Sequence, residues 1–101
     1  MSVTNFLCVD PGYLFLKQVP DLSGVYQFLD LNRVVVYVGK AKSLRKRVKQ
    51  YFSSQVRSIK TDVMVKQVCF VDFVVTETEK EALILENQLI KAYQPKYNVL
   101  L

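Results

Sequence analysis

Two short runs rich in β-branched and aromatic residues, Gly24 to Leu29 and Val34 to Val38, flank the turn-like tetrapeptide Asp30-Leu31-Asn32-Arg33. Such a pattern closes as a β-hairpin and commits the chain to a sheet that needs a covered face. Symmetric closure of the turn sets Asp30 against Arg33 and Leu29 against Val34, so Tyr26 is expected opposite Tyr37 and Gly24 opposite Gly39. Directly opposed residues share a sheet face, which places two phenols side by side. The plain reading is a cross-strand aromatic pair. Gly39, followed by Lys40, adds a second reading, because glycine leaves room for a backbone or ligand to approach.

The remaining segments are expected to cover that sheet. Residues 1 to 21 form an amino-terminal segment in which Asp10 and Pro11 start a short helix through about Gln18, ended by Pro20. Ser43 can cap a helix to about Phe52, and a second helix fits between Ser58 and Gln67. Val68 to Thr76 is dense in Val and Phe, as a strand covered on both faces would be. Thr78-Glu79-Lys80-Glu81 is a capping box that opens a helix reaching Tyr93, and Pro95 prevents its continuation. The class is α+β, and 101 residues, half of them hydrophobic, make one domain over residues 22 to 101 with its leading segment. No apolar run approaches the length of a membrane span and no leader pattern opens the chain, so a soluble, cytoplasmic protein is expected, and the isolated domain is expected to be a monomer. Cys8 and Cys69, without a Cys-x-x-Cys pair, read as small reduced core residues.

The sequence contains no histidine, which excludes Ser-His and Cys-His catalysis and histidine bases. Chemistry must come from carboxylates, tyrosines, lysines, arginines or a metal with oxygen ligands. The net charge of +5 favours a polyanionic partner, and six of the ten residues from Lys40 to Lys49 are basic: Lys40, Lys42, Arg45, Lys46, Arg47 and Lys49. On a helical wheel Leu44, Val48, Tyr51 and Phe52 form the apolar stripe. Arg45, Lys46 and Lys49 point away from it, towards solvent or loosely held phosphates, and Arg47 sits at its edge, able to lean over a cleft and present its rigid fork. In the last helix Ala82, Leu83, Leu89, Ile90 and Tyr93 share an arc that also contains Glu86. A carboxylate on a core-facing arc needs a cation or strong hydrogen bonds, either a structural ion pair with a lysine or a metal. Mg²⁺ commonly binds through one or two carboxylates plus waters and a substrate phosphate, so one glutamate suffices.

Gly24-Val25-Tyr26, Tyr37-Val38-Gly39-Lys40, Arg47, Glu86 and Asn98 resemble, in that order, the GIY-YIG nuclease superfamily. The strings YVGKAKSLRKRVKQYF, TETEKEALILENQLIK and YQPKYNVLL are similar to the amino-terminal nuclease domains of the UvrC family. The resemblance runs from about Leu22 to Leu101 and implies a three-stranded antiparallel sheet flanked by helices. It implies that Glu86 binds one divalent cation, Mg²⁺ or Mn²⁺, that Tyr26 and Tyr37 line the site, and that Arg47 contacts the scissile phosphate. Lys40, Tyr51 and Asn98 would act in support. The implied activity is metal-dependent DNA cleavage, the 3′ incision of nucleotide excision repair, with UvrB and the remaining UvrC segments as partners. A tyrosine is the implied base, Tyr26 ahead of Tyr37. Two rival readings are a non-catalytic nucleic-acid-binding module with Glu86 salt-bridged, and a protein-interaction domain for an acidic partner.

Overall fold

The computed structural model describes residues 6–53 and 57–100. Its sheet is antiparallel throughout, in the order β1 (Leu7–Cys8), β4 (Phe70–Val75), β2 (Gly24–Leu29) and β3 (Val35–Ala41). Among the described residues four strands are present where three were expected. The extra one is the two-residue β1, too short to carry any alternation in the sequence. A 3₁₀ helix over Leu14–Gln18 follows it, opened by Asp10, whose carboxylate accepts the backbone N–H groups of Leu14 and Phe15. Helix α1 (Leu44–Ser53) and helix α2 (Ile59–Gln67) come between β3 and β4, and α3 (Glu79–Tyr93) and α4 (Lys96–Leu100) complete the chain.

Every residue of β2 is buried, because it is flanked by two strands and covered on both faces. On one face Tyr26, Phe28, Val71 and Phe73 pack with Phe15, with Leu44, Val48 and Phe52 of α1, and with Met64 and Val65 of α2. On the other, Val25 and Val38 meet Ala82, Leu85, Leu89 and Ile90 of α3. The arc of α3 is thus rotated from the expected one: Leu85 faces the sheet, whereas Leu83 and Tyr93 are exposed. Strand β4 is covered on both faces over Val71, Asp72 and Phe73, as expected, but not at its end, where Val74 and Val75 are exposed. Cys8 is exposed and Cys69 half-buried, both as free thiols, so neither is the core residue expected.

The hairpin closes two residues out of the expected register. Tyr37 pairs with Phe28 and Tyr26 with Gly39, and Gly24 meets Ala41. The turn is one residue longer than the symmetric closure, because Arg33 adopts a left-handed backbone (φ 62°) and Asp30 N–H donates to Val34 C=O while Asp30 C=O accepts from Arg33 N–H. The Asp30 side chain holds this turn by accepting from Asn32 and Val34 N–H. A second residue is gained at Val36, left unpaired by a bulge between the Phe28–Tyr37 and Leu29–Val35 pairs. Each single-residue slip alone would turn the strand over; the two together restore its face.

Candidate active site

Because the face is restored, Tyr26 and Tyr37 do lie together, their ring centroids 6.2 Å apart. Tyr51 joins them from α1, 5.8 Å from Tyr26 and 6.1 Å from Tyr37, with Phe28 packed among all three. The helix delivers Tyr51 because Leu44, Val48 and Phe52 anchor one stripe in the core, and Arg47 and Tyr51 each precede a stripe residue by one position. Two contacts with the loop before β2 fix the start of α1: Leu44 N–H donates to Leu22 C=O and Arg45 N–H to Pro20 C=O. The far end is held by Arg57, which donates to the Tyr51 carbonyl at 2.6 Å and pairs with Asp62 of α2.

Tyr26 is 1% exposed and donates its hydroxyl to Tyr51 Oη at 3.1 Å. Its ring occupies the space that a side chain on Gly39 would need, so the room that glycine leaves is filled by the protein itself. Burial, with the Tyr51 phenol next to it, pushes the Tyr26 pKa far above the ordinary phenol value, and burial does the same to Tyr37. Arg47 opposes both shifts. Its guanidinium lies 5.4 Å from the Tyr51 ring, donates to Gln50 Oε1 at 3.3 Å, and is close enough to the Tyr26 phenol for each to perturb the other's proton affinity. Tyr26 is therefore the least accessible of the three phenols, which weighs against it as the first proton acceptor.

Glu86 and Asn98 act on the outer edge of β3. Two successive outward amides of that edge are taken: Val38 N–H donates to Asn98 Oδ1 at 2.8 Å, and Lys40 N–H donates to Glu86 Oε2 at 3.0 Å. Asn98 also donates to Val38 C=O at 2.9 Å, so its amide completes the ladder as a neighbouring strand would. Asn98 is delivered by α4, a five-residue helix that starts after the buried Pro95 and that the sequence pattern did not reveal. Glu86 is half-buried, its charge reaches Tyr37, and no cation lies within ion-pair distance of it among the described residues. No group of three or more histidine, cysteine or acidic side chains is gathered for a metal among the described residues. A cation at Glu86 would therefore have to be one content with a single carboxylate, which fits a hard, largely hydrated divalent ion.

The six expected cations do not form one patch. Lys40 and Lys42 at the end of β3, Lys46, Arg47 and Gln50 of α1, and Glu79 of α3 border an open cleft of about 390 Å³. Arg45 and Lys49 lie on the other flank of α1 beside Leu16 and Lys17, and Arg45 Nε donates to Val19 C=O at 2.7 Å. Arg45 is thus a structural tether, and the split follows from the wheel: Lys46 and Gln50 fall on the Arg47 side, Arg45 and Lys49 on the opposite one. Gln50, three residues after Arg47, was missed, although that spacing signals a neighbour.

A family model of the UvrC-like GIY-YIG domain matches residues 22–99. The chain is 56% identical over 87 residues to UvrABC system protein C of Colwellia psychrerythraea, covering 86% of this chain and 14% of that protein. It is 49% identical over 94 residues to UvrABC system protein C of Helicobacter pylori strain P12, covering 85% of this chain and 16% of that protein. The chain thus spans about a seventh of the length of these curated relatives. Among solved structures, the GIY-YIG N-terminal endonuclease domain of UvrC from Thermotoga maritima, bound to magnesium as its catalytic divalent cation, superposes with a TM-score of 0.72 at 36% identity. That match covers 81% of this chain and 89% of the other.

Proposed function

The chain belongs to the UvrC-like GIY-YIG domain family, and from this we propose that it is a divalent-metal-dependent DNA endonuclease domain that hydrolyses one phosphodiester bond. The observation that carries the reading is the state of Glu86: a half-buried carboxylate held by Lys40 N–H, with no cation paired to it among the described residues. A carboxylate kept there for structure alone would be expected to have an ion-pair partner, as the non-catalytic reading requires. When bound at Glu86, a divalent cation, Mg²⁺ or Mn²⁺, supplies positive charge that polarises the phosphoryl oxygens.

The remaining chemistry belongs to side chains already in position. Arg47 is held by Gln50 and lies over the Tyr51 ring, so its fork is ready to meet charge that builds on the phosphate. Tyr37 and Tyr51 are the more accessible members of the phenol cluster and orient the attacking water; Tyr26 holds Tyr51 in place from below. Burial holds the protons on Tyr26 and Tyr37, so neither is a base at neutral pH in the resting domain. Lys40 steers the phosphate, and Asn98 keeps Tyr37 in register through Val38. In the organism the reaction is the 3′ incision of nucleotide excision repair, with UvrB and the other UvrC segments as partners that locate the damage.

The test is Glu86→Gln. An amide oxygen can still accept from Lys40 N–H, so the thermal transition should be kept while cleavage of a labelled duplex in Mg²⁺ or Mn²⁺ disappears. Cleavage at the original rate would remove Glu86 from the reaction.

A further inference from the structure

The cleft bordered by Lys42, Lys46 and Glu79 also takes in Lys40 and Arg47, and among the described residues none of its lining side chains is aromatic. A site without a stacking platform does not hold a base by its π-face. It offers ammonium groups, which accept a phosphate from many directions and impose no planar geometry. Lys46 has no carboxylate within ion-pair distance among the described residues. Lys42 has one, Glu79, at 3.9 Å, with the two side chains 84% and 65% exposed. An ion pair so loose and so solvated is worth little and is open to exchange. The volume is that of a small-ligand site, enough for one nucleotide unit and too small for a duplex.

We propose that this cleft is a backbone subsite for the nucleotide flanking the cut, in which Lys42 and Lys46 take the flanking phosphate and Glu79 competes with it for Lys42. The assignment rests on the nuclease reading and deepens it. The subsite recognises sugar and phosphate and is indifferent to the base. Glu79 trims the affinity for polyanions, most at low salt, because its carboxylate shares Lys42 with the phosphate and repels it. The cations on the other flank of α1, Arg45 and Lys49, have no part in it.

The experiment measures binding of fluorescein-labelled oligothymidylate and oligodeoxyadenylate to the 101-residue chain by anisotropy across a KCl series, with thermal melts to verify folding. Lys46→Ala is expected to weaken binding several-fold and to reduce the salt slope by about 0.7. Lys91→Ala, the same charge change at the opposite end of α3, is expected to do much less. Glu79→Gln is expected to tighten binding at low salt more than the charge-matched Glu77→Gln, and the difference should vanish as KCl rises. The two oligonucleotides should bind alike. Equal losses for Lys46→Ala and Lys91→Ala, no gain for Glu79→Gln over Glu77→Gln, or a several-fold base preference would each overturn the subsite. Glu86-dependent cleavage by the same preparations reports separately on the nuclease reading, which stands or falls without the subsite.

Discussion

The Tyr26 ring lies across the Cα of Gly39 on the neighbouring strand, in the volume that a β-carbon there would require. The phenol that hydrogen-bonds Tyr51 is thus seated by an absent side chain. Gly39→Ala should force the ring and its hydrogen bond aside, costing about 1–3 kcal/mol as overpacking does. Urea denaturation measures that cost. Cleavage should fall further than stability accounts for, because Tyr51 loses its support; an alanine variant with full stability and activity would show that the ring has room to move.

Arg47→Ala should lower kcat by about 100- to 1000-fold, the scale for losing one preorganised donor to a developing oxyanion. Lys46→Ala should act on KM and its salt dependence, with kcat nearly unchanged. The two residues are adjacent in sequence, so steady-state kinetics on both separate a directed contact from diffuse charge. Equal effects on kcat would mean that α1 acts only as a charged rod.

Asn98→Ala removes both hydrogen bonds that bracket Val38 and leaves that N–H and C=O unpaired at the edge of β3. A loss of about 1–3 kcal/mol is expected, with faster hydrogen exchange at the Val38 amide. Asn98→Asp keeps the acceptor and loses the donor, so it should recover only part of the protection. An unchanged Val38 exchange rate in the alanine variant would show that the edge holds without Asn98.

Alkaline pH should destabilise the fold through its buried phenols. Tyr26 and Tyr37 are raised above the ordinary value of 10.0, so their contribution is intact below that pH. Above it the unfolded chain releases phenolic protons that the native state keeps, and stability falls as pH rises. For Tyr26, almost wholly buried, the slope is about 1.4 kcal/mol per pH unit. Denaturation from pH 8 to 11 should show this fall, and Tyr26→Phe should flatten it. A Tyr26→Phe variant with the same slope as the parent would assign the effect to other groups.

Much of the site is legible in the sequence, for reasons of period. Tyr26 and Tyr37 share a face whenever the pairing shift is even, and Glu86 falls at the edge of the sheet-facing arc of α3 on any helical wheel. The hairpin register was not legible. It depends on a left-handed backbone at Arg33 and an unpaired Val36, and neither residue type announces such a conformation. The outward turn of Leu83 and Tyr93 in α3 is not legible either, because exposed apolar residues look like core in sequence. Strand β1 and helix α4 span two and five residues, less than a period can define. Asn98 was placed by resemblance alone, since its role runs through backbone atoms that carry no sequence signal.

The compensation inside the hairpin limits how this stretch of chain can change length. One residue gained at the turn and one at Val36 restore the alternation that each would break alone. A single codon inserted or deleted between Leu29 and Tyr37 would present Val38 to the phenols and bury Tyr37 beneath α3. Only paired changes keep the chemistry on its own side. Length drift here is therefore gated by parity, and a descendant with a shorter hairpin must lose its residues two at a time or acquire a new irregularity with each one lost.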